Sequence, residues 1–346
     1  MPGTAQGFAF KKRRVGGTAL EVTELGVGSA SLASIFSKVE DNLARETLAH
    51  GLDCGVNYFD TAPQYGFGRA EHLVGDGLRF RTDNTVISTK VGRLLKPHAK
   101  GAPYAFDHNW VDPFPFDQAY DYSYDGVMRS FEDSLQRLGL DAVDMLLVHD
   151  IGAMTHGAAQ NAIYWKQLAD GGYRALNDLK AAGVIKAIGL GVNEWEVLMD
   201  AFALGDWDVF LLAGRYTLLE QTSLSPLLDT CLERNASIIC GGPFNGGALM
   251  GNGLWNYAKA PEAVLQKVKA LEAACTEFGI PLGAAALQFP LAHEAVCTIL
   301  PGPRCPTELD GILEWWQVAI PAAFWDALAD RHLVAPGTPL PNGRTA

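Results

Sequence analysis

Residues 143–191 contain the stretch that decides the fold. It opens with Val143-Asp-Met-Leu-Leu-Val-His149, continues through an amphipathic segment at Tyr173–Ala182, and closes with Ile185-Lys-Ala-Ile-Gly-Leu-Gly191. Two short apolar runs on either side of an amphipathic segment are typical of a βαβ unit whose strands are buried on both faces. The same unit recurs along the rest of the chain.

Eight short apolar runs, each bounded by Gly, Pro or Asn, predict eight strands. They lie at Glu24–Gly28, Asn57–Asp60, Thr85–Lys90, Val143–His149, Ile185–Gly191, Asp208–Ala213, Ala236–Cys240 and Val296–Leu300. Helical periodicity occupies Asn42–Gly55, Arg69–Arg81, Asp125–Leu138, Tyr173–Ala182, Trp195–Leu204, Leu224–Arg234 and Pro261–Phe278. Eight strand–helix units predict an α/β fold of the (β/α)8 TIM barrel type. A doubly wound open sheet is the alternative, but Gly26-Val-Gly28-Ser-Ala-Ser31 lacks the third glycine of a G-x-G-x-x-G fingerprint.

Two segments interrupt this alternation, and we expect both to be long loops over the rim of the barrel. Lys96–Tyr124 follows the third predicted strand and is rich in proline and aromatic residues, including Phe106. Asp150–Gln167 follows the fourth predicted strand. Long loops in compact domains are usually functional or disordered, and the aromatic content argues against disorder. Since no linker or low-complexity segment stands out, residues 1–346 are predicted to form one barrel domain.

Composition limits the classes of partner. Among 346 residues, 27 are Lys or Arg and 39 are Asp or Glu, so the net charge is −12. This charge argues against a nucleic-acid partner and against an anionic membrane surface, because both are bound by clustered Lys and Arg. The six cysteines form no C-x-x-C pair, which is typical of reduced thiols and predicts a cytoplasmic protein. The expected partner is a small-molecule substrate. The sequence leaves the oligomeric state open.

Four polar residues lie at or just after the ends of three successive predicted strands. Asp60 ends the second strand, and Tyr65 follows it by five residues. Lys90 and His149 end the third and fourth strands. Active sites of barrel enzymes lie at the carboxyl ends of the strands, so we expect these side chains to meet at one rim.

The four residue types suit proton transfer at a carbonyl or an alcohol. A phenol keeps its proton at neutral pH, and a nearby ammonium group favours the phenolate. Asp60 can pair with Lys90 and compensate its burial, and His149 can bind a substrate oxygen. Asp150 is predicted to be a local hydrogen-bond partner of His149. No carboxylate–histidine cluster completes a metal site around His149 and His156, so no metal is predicted and a metal-dependent hydrolase is disfavoured.

With these four residues at its predicted strand ends, the sequence resembles the aldo-keto reductase superfamily. The resemblance runs in order from Glu24 to Trp315. It rests on Asn57-Tyr-Phe-Asp-Thr-Ala-Pro-Gln-Tyr65-Gly, Ile87-Ser-Thr-Lys90-Val-Gly, Leu146-Leu-Val-His149-Asp, Ile188-Gly-Leu-Gly-Val-Asn193 and Leu300-Pro-Gly302. It implies the same barrel, a nicotinamide dinucleotide cofactor, and a catalytic tetrad at Asp60, Tyr65, Lys90 and His149. Tyr65 would be the general acid in reduction and the base in oxidation.

The resemblance also implies a set of cofactor-binding residues. Asn193 matches the residue that binds the carboxamide, and Tyr216 matches an aromatic residue that stacks on the nicotinamide ring. The glycine-rich loop after the seventh strand, which includes Gly241, Gly242 and Asn245, matches the loop over the pyrophosphate. Glycines there let backbone amides approach phosphate oxygens.

One departure from the family pattern concerns the adenosine end of the cofactor. Family members that use NADP usually place Lys or Arg after the eighth strand, whereas this chain has Glu308 where Arg is usual and Gly302 where some members have Lys. A carboxylate repels a 2′-phosphate and can accept from a ribose hydroxyl. We therefore expect NAD to be preferred, with NADP as the alternative because Arg304 could still bind a phosphate.

The subgroup that this chain resembles implies the substrate class. Tyr122–Gly139, His149–Gly157 and Ala213–Gln221 look like D-threo-aldose 1-dehydrogenases, which include L-fucose, L-galactose and D-arabinose dehydrogenases, and like pyridoxal 4-dehydrogenase. Both kinds of substrate are cyclic hemiacetals that are oxidised to lactones. Oxidation of an aldose at C1 is the first expectation. The alternatives are oxidation of pyridoxal, turnover of a larger ketone or secondary alcohol, and a regulatory protein that binds the cofactor without catalysis. Predicted substrate contacts are Trp110, Phe116, Tyr122 and His156.

Overall fold

The computed structural model describes residues 8–79, 84–104, 108–256 and 258–343. Phe106 of the predicted aromatic loop therefore lies outside the described residues, as do both ends of the predicted 1–346 domain. The single-domain organisation stays a prediction.

Eight parallel strands form a barrel in which each strand pairs with the next along the chain. The first and last strands meet through a bridge between Leu25 and Ile299, with the Gly26 amide donating to the Ile299 carbonyl at 2.9 Å. The predicted (β/α)8 barrel is thereby confirmed. The strands are β1 (Val27–Gly28), β2 (Tyr58–Asp60), β3 (Val86–Val91), β4 (Met145–His149), β5 (Ala187–Val192), β6 (Val209–Ala213), β7 (Ser237–Gly241) and β8 (Val296–Leu300).

Helices surround the barrel. The α-helices are α1 (Asp41–Asp53), α2 (Arg69–Leu78), α3 (Tyr124–Leu138), α4 (Ala153–His156), α5 (Ala158–Gln167), α6 (Tyr173–Ala181), α7 (Glu196–Leu204), α8 (Asp229–Glu233), α9 (Glu262–Phe278), α10 (Leu282–Gln288), α11 (Pro306–Gln317) and α12 (Ala322–Asp330). Short 3-10 helices occupy Ser31–Ala33, Asn245–Met250 and Phe289–Ala292, and π-helical turns occupy Leu168–Gly172 and Leu224–Leu228.

Helix α3 shows how the local sequence sets these elements. Ser123 precedes the helix, and its hydroxyl accepts a hydrogen bond from the amide of Gly126, which caps the first turn. Val127 and Phe131 lie four residues apart on the buried face. Gly139 ends the helix with φ of 62°, a conformation that costs glycine little.

The strand periodicity of two residues decides which side chains enter the barrel. In β4, Met145 and Leu147 belong to the interior cluster, whereas Leu146 and Val148 pack outward with the helices. His149 is next in the inward series, because successive side chains of a strand point to opposite faces. The amino-terminal end of the barrel is closed by a hairpin of Lys12–Arg14 and Glu21–Thr23, which contributes to the same interior cluster.

The two long segments predicted after the third and fourth strands are present, and both contain secondary structure. The segment after β3 forms an antiparallel hairpin of Arg93–Pro97 and Phe116–Tyr120. The segment after β4 folds into α4 and α5, and neither helix buries a residue completely. Because a helix without a buried face has no strong apolar periodicity, the sequence pattern did not predict these two helices.

Within the described ranges, no group of three or more His, Cys, Asp or Glu side chains is arranged to hold a metal ion. In the same ranges, no single helix is long and apolar enough to cross a membrane. Helix α9 and the segment Leu282–Ala292 reach that length and apolar character together, but with a bend of 102° between them. The six cysteines are free thiols, and all but Cys305 are buried.

Candidate active site

Lys90 is almost completely buried at the end of β3, yet every proton of its ammonium group has an acceptor. It donates to the two carboxylate oxygens of Asp60 at 2.8 and 2.7 Å and to the carbonyl oxygen of Thr61 at 2.8 Å. A buried charge is tolerated only when it is paired and hydrogen-bonded in this way. The ion pair therefore fixes the ammonium group at the carboxyl end of the barrel.

Asp60 is held in turn by a short chain of hydroxyl groups. Ser88 donates to Asp60 at 2.6 Å, and the Tyr58 hydroxyl lies 2.8 Å from the Ser88 oxygen. Burial raises the pKa of Asp60, while the charge and hydrogen bonds of Lys90 oppose the rise. The sequence analysis missed Ser88 and Tyr58. The strand periodicity could have identified them. Ser88 lies two residues before Lys90 and Tyr58 two residues before Asp60, so each shares the inward face with that residue.

Tyr65 lies in the loop after β2, beside the buried ammonium group. Lys90 Nζ is 5.0 Å from the centroid of the Tyr65 ring. The rings of His149 and Trp110 each lie 5.8 Å from the Tyr65 ring, with His149 in an edge-on arrangement. The structure thus brings the four predicted catalytic residues together at the carboxyl end of the barrel.

His149 is buried at the end of β4 and is neutral. Burial, followed by the positive charges of Arg93 and Lys90, lowers the pKa of His149 well below its usual value. Its Nδ1 is buried without a partner among the described residues, and its Nε2 lies 3.5 Å from a carboxylate oxygen of Asp150. A neutral imidazole has one N–H donor, so His149 can bind a substrate oxygen without adding charge.

The side chains of Tyr65, Lys90 and His149 line a cavity of about 320 Å³ at the carboxyl end of the barrel. The volume is within the range of small-molecule sites, which runs from about 300 to 1,000 Å³. The described polar and aromatic residues of its wall are Gln64, Tyr65, Lys90, His108, Asn109, Trp110, Gln118, His149, Asp150 and Asn193.

Of the four predicted substrate contacts, the structure places Trp110 on the described cavity wall and the other three elsewhere. Tyr122 is fully buried, with its hydroxyl donating to the His149 carbonyl at 2.8 Å and lying 3.0 Å from His156 Nε2. Phe116 packs against the apolar cluster that contains Trp110. Since Tyr122, His156 and Phe116 contact other protein side chains and do not line this cavity, a role for them as substrate contacts stays a prediction.

The two residues predicted to hold the nicotinamide have different environments. Asn193 follows β5 and lines the cavity, where its Nδ2 lies 3.4 Å from Asp150 Oδ1. Tyr216 is completely buried and packs against the rings of Phe289 and His293, at 5.9 and 5.6 Å between centroids. Tyr216 is not among the residues that line the described cavity, and its stacking on a nicotinamide ring stays a prediction.

The loop after β7 is shaped by the side chain of Asn245. Its Nδ2 donates to the carbonyl of Gly214 at 3.1 Å, and its Oδ1 accepts from the Thr217 hydroxyl at 2.6 Å. Gly241 ends the strand, and Gly242 has φ of 57°. The Asn245 amide thus holds the loop in place, and the backbone of the glycines is the part of the loop that suits a phosphate group.

The loop after β8 packs against the loop after β1. A Cβ added at Gly302 would lie 2.7 Å from Ser31 Oγ, so glycine permits this close approach. Arg304 donates through Nε and Nη2 to Glu308 Oε1 at 2.9 and 2.6 Å, and Glu308 Oε2 accepts from the Arg304 amide at 2.8 Å. Partial burial raises the pKa of Glu308, but the hydrogen bonds and charge of Arg304 outweigh it and lower that pKa. The one cation predicted for a phosphate is therefore paired with a carboxylate.

A buried arginine near the cavity was not predicted from the sequence. Arg93 begins the hairpin after β3 and binds both Gln118 and Asp150. Gln118 lies on the second strand of that hairpin. The segment was predicted only as a long loop, without a strand pattern, so nothing in the sequence pointed to this contact.

A barrel that brings a phenol, an ammonium group, a carboxylate and an imidazole to one cavity defines a class of enzymes that move protons at a carbonyl or an alcohol. The sequence pattern of the Aldo/keto reductase family matches residues 24–331, and the chain belongs to that family. It is therefore an oxidoreductase of a family that uses nicotinamide cofactors.

Two curated relatives are similar over nearly their whole length. The chain is 44% identical to pyridoxal 4-dehydrogenase from Microbacterium luteolum, covering 94% of this chain and 99% of the relative. It is 33% identical to D-threo-aldose 1-dehydrogenase from a Pseudomonas species, covering 91% and 95%. Among solved structures, the holo form of an aldo-keto reductase from Bacillus halodurans is similar with a TM-score of 0.71 and 23% identity, covering 95% of this chain and 98% of that chain. That likeness shows the fold.

Proposed function

We propose that this protein oxidises a cyclic hemiacetal to a lactone with a nicotinamide cofactor, and that NAD is preferred over NADP. The observation that carries the proposal is the Lys90 ammonium group, paired with Asp60 and 5.0 Å from the Tyr65 ring, beside a neutral His149 on the cavity wall. This arrangement supplies a proton acceptor and a hydrogen-bond donor at one substrate oxygen.

In oxidation, the phenolate of Tyr65 accepts the proton of the hemiacetal hydroxyl as the C–O single bond becomes a carbonyl. Lys90 favours the phenolate form, so the base is present before the proton leaves. The N–H of His149 holds the substrate oxygen next to Tyr65. A bound nicotinamide would supply the acceptor for the hydride that leaves the hemiacetal carbon, and this would balance the two electrons of the oxidation.

The residues at the rim fit a dinucleotide. Asn193 lines the cavity next to the tetrad and would hold the nicotinamide end. The backbone at Gly242 leaves room for a phosphate group, because a Cβ added there would have Gly214 N at 3.8 Å as its nearest neighbour. The pairing of Arg304 with Glu308 supports NAD, because a guanidinium group that already binds a carboxylate attracts a 2′-phosphate less strongly.

An aldose oxidised at C1 is the first candidate substrate. Pyridoxal is the second, and the 44% identity to pyridoxal 4-dehydrogenase is the observation that favours it. Both fit a cavity of about 320 Å³ with a polar wall and the Trp110 ring. A cytoplasmic location stays a prediction.

The test is a screen for reduction of NAD and NADP by L-fucose, L-galactose, D-arabinose, pyridoxal and several secondary alcohols, with the product identified by its mass. We expect a hemiacetal to be oxidised to its lactone with the higher kcat/KM for NAD. Turnover confined to secondary alcohols, or no turnover with a bound cofactor, would contradict the proposal.

A further inference from the structure

Arg93 lies behind the cavity wall and orients two polar side chains that form part of that wall. The residue is 3% exposed. It donates through Nη1 to Gln118 Oε1 at 3.0 Å and through Nη2 to Asp150 Oδ2 at 2.5 Å. The Arg93 guanidinium group also lies over the Tyr120 ring at 5.3 Å. Arg93 therefore has a fixed position from which it can set the direction of both partners.

The contact with Arg93 decides which end of the Gln118 amide is available to the cavity. An arginine side chain offers donors and no acceptor, so the amide oxygen must face it. The amide nitrogen of Gln118, with its two N–H donors, is then the end directed away from Arg93. Gln118 lines the cavity, so the wall carries a donor there.

Asp150 supplies an acceptor on the same wall. Its backbone has a left-handed φ of 44°, and its amide donates to the Gly191 carbonyl at 2.9 Å. Arg93 holds Asp150 Oδ2, whereas Asp150 Oδ1 has a long contact of 3.4 Å with Asn193. Each carboxylate oxygen accepts more than one hydrogen bond, so Asp150 retains acceptor capacity toward the cavity.

The position of Asp150 relates this wall to the reacting atoms. Asp150 Oδ2 lies 3.5 Å from His149 Nε2. A substrate oxygen bound at His149 therefore has its neighbouring substituents beside Asp150. None of the roles assigned to the tetrad requires Asp150 or Gln118. A buried ion pair adds little stability compared with apolar packing, so stability alone does not account for the pair of Arg93 and Asp150.

We propose that Asp150 and Gln118, oriented by Arg93, form an acceptor and donor pair that binds hydroxyl groups on the substrate ring next to the reacting carbon. The pair selects cyclic hemiacetals that carry such hydroxyl groups over those that lack them. This proposal rests on the hemiacetal oxidation proposed above and names the substrate feature that the same site recognises.

The test compares substrates that differ in ring hydroxyl groups. L-Fucose and pyridoxal carry them, whereas tetrahydropyran-2-ol is a cyclic hemiacetal without any. The better substrate of L-fucose and pyridoxal serves as the hydroxylated substrate. The quantity measured is its kcat/KM divided by kcat/KM for tetrahydropyran-2-ol. D150N keeps an oxygen for Arg93 but removes the charge, and Q118E keeps the contact with Arg93 but removes the N–H donor.

We expect each variant to lower the ratio at least about tenfold, because a hydrogen bond that involves a charged group or a buried donor is lost. The lower ratio should come mainly from a higher KM for the hydroxylated substrate. D206N, at an exposed carboxylate before β6 at the opposite end of the barrel, is the matched control and should keep the wild-type ratio. Thermal unfolding of each variant measures its folding separately.

A ratio that stays at the wild-type value in D150N or Q118E overturns the role of that residue, even if kcat/KM falls for both substrates. Turnover by the wild-type protein would then leave the proposed function intact. If the wild-type protein oxidises none of these hemiacetals, the proposed function itself fails and the pair fails with it. The two failures are therefore distinguishable.

Discussion

At the scale of single residues, the site depends on one compensated buried charge. The Lys90 side chain is 1% exposed and the Asp60 side chain 2% exposed, and their ion pair is 2.7 Å long. Removing one member leaves the other charge buried and unpaired, which is costly in a protein interior.

We therefore expect K90M to lower the free energy of unfolding by about 3–5 kcal/mol, since it leaves the Asp60 carboxylate without its cation. Urea denaturation at neutral pH measures the loss. K166M is the matched control, because Lys166 pairs with Asp170 at the surface, with both side chains more than half exposed. Exposed pairs contribute about 0–1 kcal/mol. Equal losses in the two variants would show that the Lys90 pair is not buried.

One buried and one half-buried histidine, His149 and His156, predict that acid destabilises the fold. Burial and Arg93 lower the pKa of His149 well below its usual value, and the same causes lower the pKa of His156 to about 4. Both are neutral in the folded state, whereas in the unfolded chain they take up protons below about pH 6.5. The free energy of unfolding should therefore fall as the pH falls from 6.5 towards 4.

H156Q should make that decline shallower, because one of the two histidines no longer takes up a proton on unfolding. Denaturant unfolding at about pH 7.0, about pH 5.5 and about pH 4.5 gives the slope of the free energy of unfolding against pH. H332Q, at an exposed position, is the control and should follow the wild type. An unchanged slope in H156Q would contradict the lowered pKa of His156.

At the scale of elements, the hairpin after β3 is packed closely against the site. A Cβ added at Gly92 would lie 2.2 Å from a ring atom of Tyr122, whose hydroxyl donates to the His149 carbonyl. Gly92 also has φ of 96°, which favours glycine. The turn into the hairpin thus fixes the aromatic ring that supports the end of β4.

G92A should lower the free energy of unfolding by at least about 2 kcal/mol more than G101A. Gly101 has φ of 80° but nothing within 4 Å of its added Cβ, so G101A measures the backbone strain alone. Chemical denaturation of both variants checks the difference. Similar losses would mean that Tyr122 does not fill the space beside Gly92.

The loop that leads into α11 predicts a change in cofactor preference. Glu308 holds the guanidinium group of Arg304 through two hydrogen bonds. E308Q removes the competing carboxylate charge, so we expect kcat/KM for NADP relative to NAD to rise severalfold, about 3- to 10-fold. Steady-state kinetics with both cofactors measures this ratio. E314Q, farther along the same helix, is the control, and an unchanged ratio in E308Q would contradict the role of the pair.

How far the sequence predicts these elements depends on their periodicity. Strands such as β4 and helices such as α3 have apolar patterns that reflect burial, so their bounds agree with the prediction to within two residues. Helix α5 has no buried face, and its pattern gave no signal. The tetrad was predictable because residues at strand ends of a barrel have a defined location. The environments of Tyr122 and Tyr216 were not, because residue type does not reveal whether an aromatic ring faces a cavity or the core.

At the scale of the whole molecule, the barrel is open at one end. The hairpin of Lys12–Arg14 and Glu21–Thr23 joins the interior cluster at the amino-terminal end, together with Val15 and Leu20. The cavity lies at the other end, where β2, β3 and β4 deliver Asp60, Lys90 and His149. Packing in the lower half therefore supports the fold, and residues of the upper rim determine the chemistry.

The proposed proton transfer at Tyr65 is the central step of the proposed oxidation, and Y65F tests it most directly. Removing the phenol oxygen should lower kcat for hemiacetal oxidation by at least about 100-fold, because no group remains to accept the hydroxyl proton. The affinity for NAD, measured by fluorescence titration, should stay within about threefold of the wild type. A Y65F variant that binds NAD and keeps wild-type turnover would contradict the acid–base role assigned to Tyr65.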